Sequence, residues 1–239
     1  MPCDRNGLPT GVTGFRATTS ALGWGRPGRL ACAAVTLPEL DLLDFKRRVH
    51  ALYGRVRAEP DPARGFEAWV AERDDLFAHH PESALPAERR AGFEGLSYFP
   101  HDPAGRVLAD VVPTERRRYD VDSSDGATMS FERIGFARFA LAGEACELEL
   151  YWLVAYGGGL FVPFADATAG EETYGAGRYL LDTVKGADLG ARDGGLVLDF
   201  NLAYNPSCSY DPRWACPLAP APNRLALPVR MGERHVETG

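Results

Sequence analysis

The chain lacks the long apolar run that a membrane-spanning helix requires, and its longest uncharged apolar stretches have the length of β-strands. It also shows no secretory signal, because the short segment LACAAV lies too far from the first residue. Basic residues are in the minority, with 26 Lys and Arg against 33 Asp and Glu and a net charge of −7. A negative field repels phosphate backbones and anionic lipid. These absences predict a cytoplasmic protein that binds neither nucleic acid nor membranes.

Cysteine is also scarce, with 5 widely dispersed residues, which argues for reduced thiols rather than a disulfide framework. Cys208 and Cys216 enclose seven residues, whereas structural zinc sites favour closer pairs, so no metal site is predicted. We interpret the two as packed structural thiols. A labile disulfide is one alternative, and a nucleophilic Cys208 assisted by His101 is another.

Nucleotide-binding fingerprints are missing too. The sequence contains neither a P-loop nor a G-x-G-x-x-G motif that opens a helix, since the segment GAGRYL opens a predicted strand. No cofactor is recognisable, and no internal repeat is visible.

What the sequence does contain is first a stretch rich in Gly, Thr, Arg and Ala at residues 1–36, which we predict to be a disordered tail. Residues 37–80 are predicted to form a helical segment. Apolar residues recur there at helical spacing in two runs separated by EPDP, because proline cannot continue a helix. The first stripe comprises Leu42, Phe45, Val49, Leu52 and Val56, and the second comprises Phe66, Trp69, Val70, Leu76 and Phe77. We expect these stripes to pack on each other, on the following domain, or in a homodimer through residues 40–78.

Residues 90–234 change to a period near two, interrupted by glycine and proline, and 235–239 form a short tail. Tight turns are predicted at 140–145 and 155–160, where glycine supplies positive φ. Many short strands without interleaved helices predict a mainly β fold, an antiparallel β-barrel or sandwich with two N-terminal α-helices. The candidate strands are 94–99, 106–112, 116–121, 128–133, 135–141, 145–155, 159–164, 176–183 and 195–200, with a short edge strand near 225–230.

Polar residues concentrate in two segments, PFADATAGEETYGAGRYL at 163–180 and DFNLAYNPSCSYDPRWACPL at 199–218. We expect the chain around 166–178 to fold against 199–223, so that both line one hollow. Three carboxylates there are candidates for general acid and base: Asp166, Glu172 and Asp199. The alternative is that they anchor loops or pair with arginines. The candidate substrate-binding residues are Arg178, Tyr174, Asn201, Tyr204, Asn205, Cys208 and Tyr210.

The stretches FADATAGEETYGAGRYL and LVLDFNLAYNPSCSYDPRWACPLAPAPNRLALPVRMGE resemble the signature of a bacterial and archaeal family catalogued as Domain of Unknown Function 1684. The resemblance covers about residues 64–234 and is strongest over 160–234. It implies little about activity. Family members usually carry Gly-Lys-Glu-Thr-Tyr at 170–174, so the charge reversal at Glu171 argues against an essential role there. The resemblance also implies longer members with additional N-terminal strands, which helices replace in this chain.

The leading hypothesis is an enzyme that acts on a small metabolite by carboxylate acid–base chemistry, of hydrolase or lyase type, with Arg178 holding an anionic group. One alternative is a non-catalytic β-barrel that binds an apolar or aromatic ligand. Another is a structural or partner-binding protein that dimerises through its helices. Convergence of two carboxylates on one cavity would favour the enzyme, whereas an apolar and aromatic lining would favour the binding protein.

Overall fold

Two long helices precede the sheet in the computed structural model, which describes residues 37–154 and 156–235. The helix α1 spans Pro38–Ala58 and α2 spans Pro62–His79, each with proline in its first turn, where the missing N–H costs no helical hydrogen bond. The Asp61 carboxylate caps α2 by accepting the backbone N–H of Ala63 at 3.0 Å. Both predicted helices are confirmed. The predicted tail 1–36 and residues 236–239 lie outside the described residues.

The helices pack on each other and on the sheet. Leu52 and Val56 of α1 and Trp69 of α2 are buried in one apolar cluster with Phe200, which follows the last strand. Burying each such side chain stabilises the fold by roughly 1.5–3 kcal/mol. The start of α1 is different, because it exposes Leu37, Leu40, Leu42 and Leu43. The homodimer through residues 40–78 stays a prediction.

Seven strands form one antiparallel sheet in the part of the chain that the structure describes, in the order β5-β4-β3-β2-β1-β7-β6. The sheet is not closed into a barrel. A single antiparallel bridge between Tyr179 and Tyr204 connects edge strand β5 to the chain beyond β7. The mainly β class is confirmed. The strands are β1 (Arg106–Asp122), β2 (Thr128–Leu141), β3 (Glu144–Leu153), β4 (Leu160–Phe164), β5 (Arg178–Asp182), β6 (Ala191–Arg192) and β7 (Gly195–Asp199).

Four predicted strands merge into two long ones, because β2 likewise includes both 128–133 and 135–141. The segments 106–112 and 116–121 are both part of β1, whose pairing with β2 shifts register between Pro113 and Arg117 because proline has no N–H for the ladder. Opposite Pro113, a Cβ on Gly135 would lie 2.7 Å from the Val112 carbonyl oxygen, so only glycine fits this approach. The predicted tight turn near 140–145 is confirmed at Ala142 and Gly143, with φ of 50° and 84°.

Two predicted strands are wrong and one real strand was missed. The segment 94–99 forms only a bridge between Tyr98 and Glu233, and 225–230 forms no strand. The segment 94–99 runs beside residues 232–234, and 225–230 runs beside residues 165–167; isolated backbone hydrogen bonds replace a ladder in both places. The two-residue β6 carries too few residues for an alternating pattern. Short helices occupy Ala87–Arg90 (α3), Pro103–Gly105, Phe200–Leu202, Ser207–Ser209 and Ala221–Asn223.

Within residues 37–154 and 156–235, the structure contains no helix that combines the length and the apolar character needed to cross a bilayer.

Candidate functional site

The two polar segments do lie against each other. The backbone N–H of Ala219 donates to the carbonyl of Ala176 at 3.2 Å, and the Tyr174 hydroxyl lies 3.9 Å from Sγ of Cys208. Their carboxylates, however, have separate partners: Asp166 pairs with Arg178, Glu172 with Arg230, and Asp199 with Asn201.

Asp166 and Arg178 form a buried ion pair with 2.7 Å between Oδ2 and Nη2. The other oxygen of Asp166 accepts the backbone N–H and the hydroxyl of Thr168. The guanidinium of Arg178 also donates to three backbone carbonyls, those of Val229, Met231 and Glu233. The Asp166 carboxylate and both terminal nitrogens of Arg178 are therefore hydrogen-bonded within the protein, and this clamp ties the C-terminal chain to the end of β4 and the start of β5.

Asp199 and Asn201 form a second anchor. The carboxylate of Asp199 accepts the backbone N–H and the side-chain amide of Asn201, each at 3.0 Å. The Asn201 amide in turn bonds both the N–H and the carbonyl of Asp102. Burial raises the pKa of Asp199, although these hydrogen bonds and Arg106 favour its charged form. The pair fixes the loop before β1 to the end of β7.

Glu172 is the third predicted carboxylate. It lies at the surface and pairs with Arg230, with 2.7 Å between Oε1 and Nη2. The guanidinium lowers the pKa of Glu172. The acid–base roles of Asp166, Glu172 and Asp199 stay predictions, and their surroundings favour anchoring.

A partly open cavity of about 240 Å³ lies between α1, α2 and the 204–216 segment, and we call it the helix–loop cavity. Its volume is somewhat below the range of ligand pockets, roughly 300–1,000 Å³. Aliphatic and aromatic side chains form most of its wall. They are Leu42, Phe45, Val49, Leu52, Tyr53, Trp69, Leu76, Phe77, Tyr179, Ala187, Tyr204 and Trp214.

Two residues of this wall carry a buried side-chain atom that has no hydrogen-bond partner among the described residues: Asn205 at Oδ1 and Trp214 at Nε1. The Asn205 side chain is held from the other end, where its amide donates to the Arg234 carbonyl at 3.0 Å. A buried acceptor or donor without a partner costs about 1–3 kcal/mol, so such atoms need an explanation. Here one residue with such an acceptor and one with such a donor line the same apolar cavity.

Arg73 lines this cavity and contacts Glu233, which lines a second one. Its guanidinium carbon lies 4.7 Å from the Trp69 ring centre, 5.3 Å from that of Phe77 and 5.0 Å from that of Tyr204. Its Nη2 lies 2.7 Å from Oε2 of Glu233. Such stacking on aromatic faces keeps a buried cation in place without many hydrogen bonds.

Glu233 borders the second cavity, of about 750 Å³, which lies between residues 85–97, 205–210 and 233–235; we call it the C-terminal cavity. The Glu233 carboxylate accepts the Asn205 backbone N–H at 3.0 Å and the hydroxyl of Tyr210. Burial raises the pKa of Glu233 to about 7, although Arg73 and Asn205 favour its ionised form. Asn205 lines both cavities.

The structure thus brings three of the predicted residues to cavities: Tyr204 and Asn205 line the helix–loop cavity, and Asn205 and Tyr210 line the C-terminal cavity. The other predicted residues line neither cavity within the described chain: Asp166, Glu172, Asp199, Arg178, Tyr174, Asn201 and Cys208.

Sequence analysis missed Arg73 and Glu233. Arg73 had a usable signal, because it lies four residues from both Trp69 and Phe77 and so interrupts the apolar stripe of α2. Glu233 had no local signal beyond its place at the end of the stretch that resembles the family. His101, suggested as a base for Cys208, packs instead on Phe66 with 5.6 Å between ring centres.

Cys208 and Cys216 are free thiols in contact, with the Cys208 backbone N–H donating to Sγ of Cys216 at 3.3 Å. Among the described residues, no cluster of three His, Cys, Asp or Glu side chains could hold a metal ion.

The family described as "Protein of unknown function (DUF1684)" matches residues 91–234. No curated protein matches the chain. A solution NMR structure of an uncharacterized protein of Haloarcula marismortui is similar, at 39% sequence identity and a TM-score of 0.52; the match covers 70% of this chain and 91% of that one.

Proposed function

The chain belongs to the DUF1684 family, and we propose that it binds a small, largely apolar ligand in the helix–loop cavity. The observation that carries this proposal is an apolar, aromatic wall that includes two residues with an unpartnered buried atom, Asn205 at Oδ1 and Trp214 at Nε1. A ligand that donates to the first and accepts from the second would relieve the cost of burying them. None of the three predicted carboxylates borders this cavity in the described chain, which supports binding over acid–base chemistry there.

The wall also indicates the chemical class of the ligand. Aromatic side chains on several sides favour a flat body, since rings pack through their faces and edges. Lys46, Arg73 and Lys185 outnumber Glu82 among the charged lining residues, so an electron-rich acceptor is favoured over a cation. A small aromatic carboxamide combines these features, because one planar group both accepts and donates hydrogen bonds.

Benzamide is therefore a suitable probe, and its binding can be followed through the NMR signals of the tryptophan indole N–H groups. In a ¹⁵N-labelled sample, benzamide should shift the indole signal of Trp214 and that of Trp69, whose Nε1 donates to Tyr53 at the cavity wall. The half-exposed Trp152 lies on β3 and should not respond. The melting temperature should rise with benzamide concentration, because a ligand of the native state stabilises it.

Two variants make the test specific. Val49→Phe adds a ring at the cavity wall and should abolish the response, while a native circular dichroism spectrum shows that the fold is kept. Asp199→Asn should bind benzamide as the natural chain does, whereas the acid–base hypothesis expects loss of binding. The proposal is contradicted if neither benzamide nor benzoate moves the Trp214 signal, or if Val49→Phe responds normally.

Hydrolase or lyase chemistry is a second candidate, and the observation that favours it is Glu233 rather than the predicted carboxylates. A carboxyl with a pKa of about 7 beside Tyr210 and a cavity matches the needs of a general acid or base at neutral pH. Hydrolysis of 4-nitrophenyl acetate should then show an inflection near that pH and be lost in Glu233→Gln. Equal rates in both proteins would exclude this role.

A further inference from the structure

The loop at 204–218 contains a thiol pair that the proposed ligand site does not use. Cys208 lies in the short helix Ser207–Ser209 and is half-buried, whereas Cys216 is buried, with 2% exposure. The loop turns back so that Sγ of Cys216 accepts the Cys208 backbone N–H at 3.3 Å. Two cysteines of which one sulfur already contacts the backbone of the other need little backbone movement to form a bond.

Neighbouring groups hold the pair in this arrangement. The Ser124 hydroxyl accepts the backbone N–H of Cys216 at 3.1 Å and donates to the carbonyl of Trp214 at 2.8 Å. The Tyr179 hydroxyl donates to the carbonyl of Pro217. Cys216 is therefore fixed from both sides, while Cys208 faces it from the more accessible side.

The two sulfurs are not equivalent. The Cys216 thiol and the Tyr174 hydroxyl donate toward Sγ of Cys208, and these hydrogen bonds lower the pKa of Cys208. The same interaction, together with burial, raises the pKa of Cys216. Cys208 is the better nucleophile because it is the more exposed of the two and its thiolate accepts these donors. The buried Cys146 on β3 offers a contrast, because burial raises its pKa.

We infer that Cys208 and Cys216 form a reversible intramolecular disulfide when the protein meets a hydroperoxide, with Cys208 as the attacking thiol and Cys216 as the resolving thiol. In the first step the Cys208 thiolate attacks one peroxide oxygen, the O–O bond breaks, and the leaving alkoxide or hydroxide takes a proton from solvent. Cys208 becomes a sulfenic acid. In the second step Sγ of Cys216 attacks Sγ of Cys208, forming the S–S bond and releasing water.

The electrons balance in these two steps. Two thiols lose one electron each and the peroxide is reduced to an alcohol and water. A dithiol reductant reverses the change by thiol–disulfide exchange. A disulfide of this kind suits a reducing compartment, where such bonds are transient and report oxidation. The inference does not depend on whether the helix–loop cavity binds a ligand.

The test treats the full-length reduced protein with one equivalent of hydrogen peroxide near neutral pH, traps free thiols with N-ethylmaleimide, and maps the peptides by mass spectrometry. The expected product is a Cys208–Cys216 disulfide that dithiothreitol reverses. Cys208 should react at least on the order of tenfold faster than Cys146. Val49→Phe should behave identically, which separates this inference from the proposed function.

Three single variants assign the roles. Cys216→Ser should stop at a sulfenic acid on Cys208, trapped as a dimedone adduct. Cys208→Ser should leave Cys216 unoxidised under the same conditions, and Cys146→Ser should form the disulfide normally. The inference is overturned if Cys208 and Cys146 react at the same rate, if the disulfide joins other cysteines or separate chains, or if Cys208→Ser does not slow oxidation.

Discussion

Two buried arginine–carboxylate pairs lie in the same protein and have the same length, 2.7 Å, yet they differ in their surroundings. Arg178 pairs with Asp166 and gives its other terminal N–H groups to backbone carbonyls of the C-terminal chain. Arg73 pairs with Glu233 and is surrounded by aromatic rings at the wall of a cavity. Glu233 joins both networks, because its carboxylate binds Arg73 and its carbonyl accepts from Arg178.

The two arginines therefore have different roles: Arg178 anchors chain segments, whereas Arg73 borders a cavity. An arginine whose terminal nitrogens all meet protein acceptors holds chain segments together and has little left to offer a ligand. An arginine held largely by aromatic rings, as Arg73 is, forms part of a cavity wall and leaves the cavity unfilled. Both pairs join an arginine to a carboxylate and are largely shielded from water, so the identity of the neighbours is the main difference between them.

The largest expected effect is at the anchoring pair. Arg178→Met removes the cation, leaving the Asp166 carboxylate buried without its partner and three carbonyls without a donor. We expect the free energy of unfolding to fall by about 3–5 kcal/mol. Urea denaturation measures it. In the double variant Asp166→Leu/Arg178→Met part of the loss should return, because no lone charge remains; a loss as small as that of an exposed ion pair would contradict the anchoring role.

A smaller and pH-dependent effect is expected at Glu233. Its pKa is raised from 4.5 to about 7, so the folded protein holds a proton that the unfolded chain releases between these values. The stabilisation from that proton is present below pH 4.5 and is lost as the pH rises through 7. It amounts to on the order of 3 kcal/mol at most.

Glu233→Gln should remove this pH dependence. The measurement compares urea midpoints of the natural chain and the variant across pH 4.5 to 8. Glu172→Gln is the matched control, because Arg230 lowers the pKa of that exposed carboxyl and its contribution has the opposite sign. Parallel curves for the natural chain and Glu233→Gln would show that Glu233 does not titrate in this window.

The smallest effect is expected at the exposed pair. Arg230→Ala breaks the contact with Glu172, where water screens both charges and solvates them after separation. The urea midpoint should stay within experimental error of that of the natural chain, at low and at high salt. A clear loss of stability would mean that the surface contact contributes more than its exposure suggests.

Much of the fold could be predicted because its signals are local. The apolar spacing of the two helices, the proline at each helix start and the glycine turn at 142–143 depend on neighbours within a few residues. Even the anchoring of two predicted catalytic groups had a local signature, since Asp166 and Asp199 each bond a residue two positions later. That spacing is typical of a carboxylate that closes a turn.

The candidate site could be predicted only in part. Tyr204, Asn205 and Tyr210 were selected from the composition of their loop and do border cavities. The other cavity residues, Arg73 and Glu233, could not be predicted from loop composition. They are 160 residues apart in the chain and meet only after the helices pack on the sheet. The merging of strands across Pro113 likewise depends on the long β2 partner rather than on the segment itself.

By itself the sequence determined the order and type of most elements, the two polar segments and the membership in a family, because backbone propensity, proline and glycine act over short distances. The tertiary structure alone decided which buried charges serve as anchors and which border a cavity. That choice depends on the partners and the loss of water around each group, and both are set only when distant segments pack together.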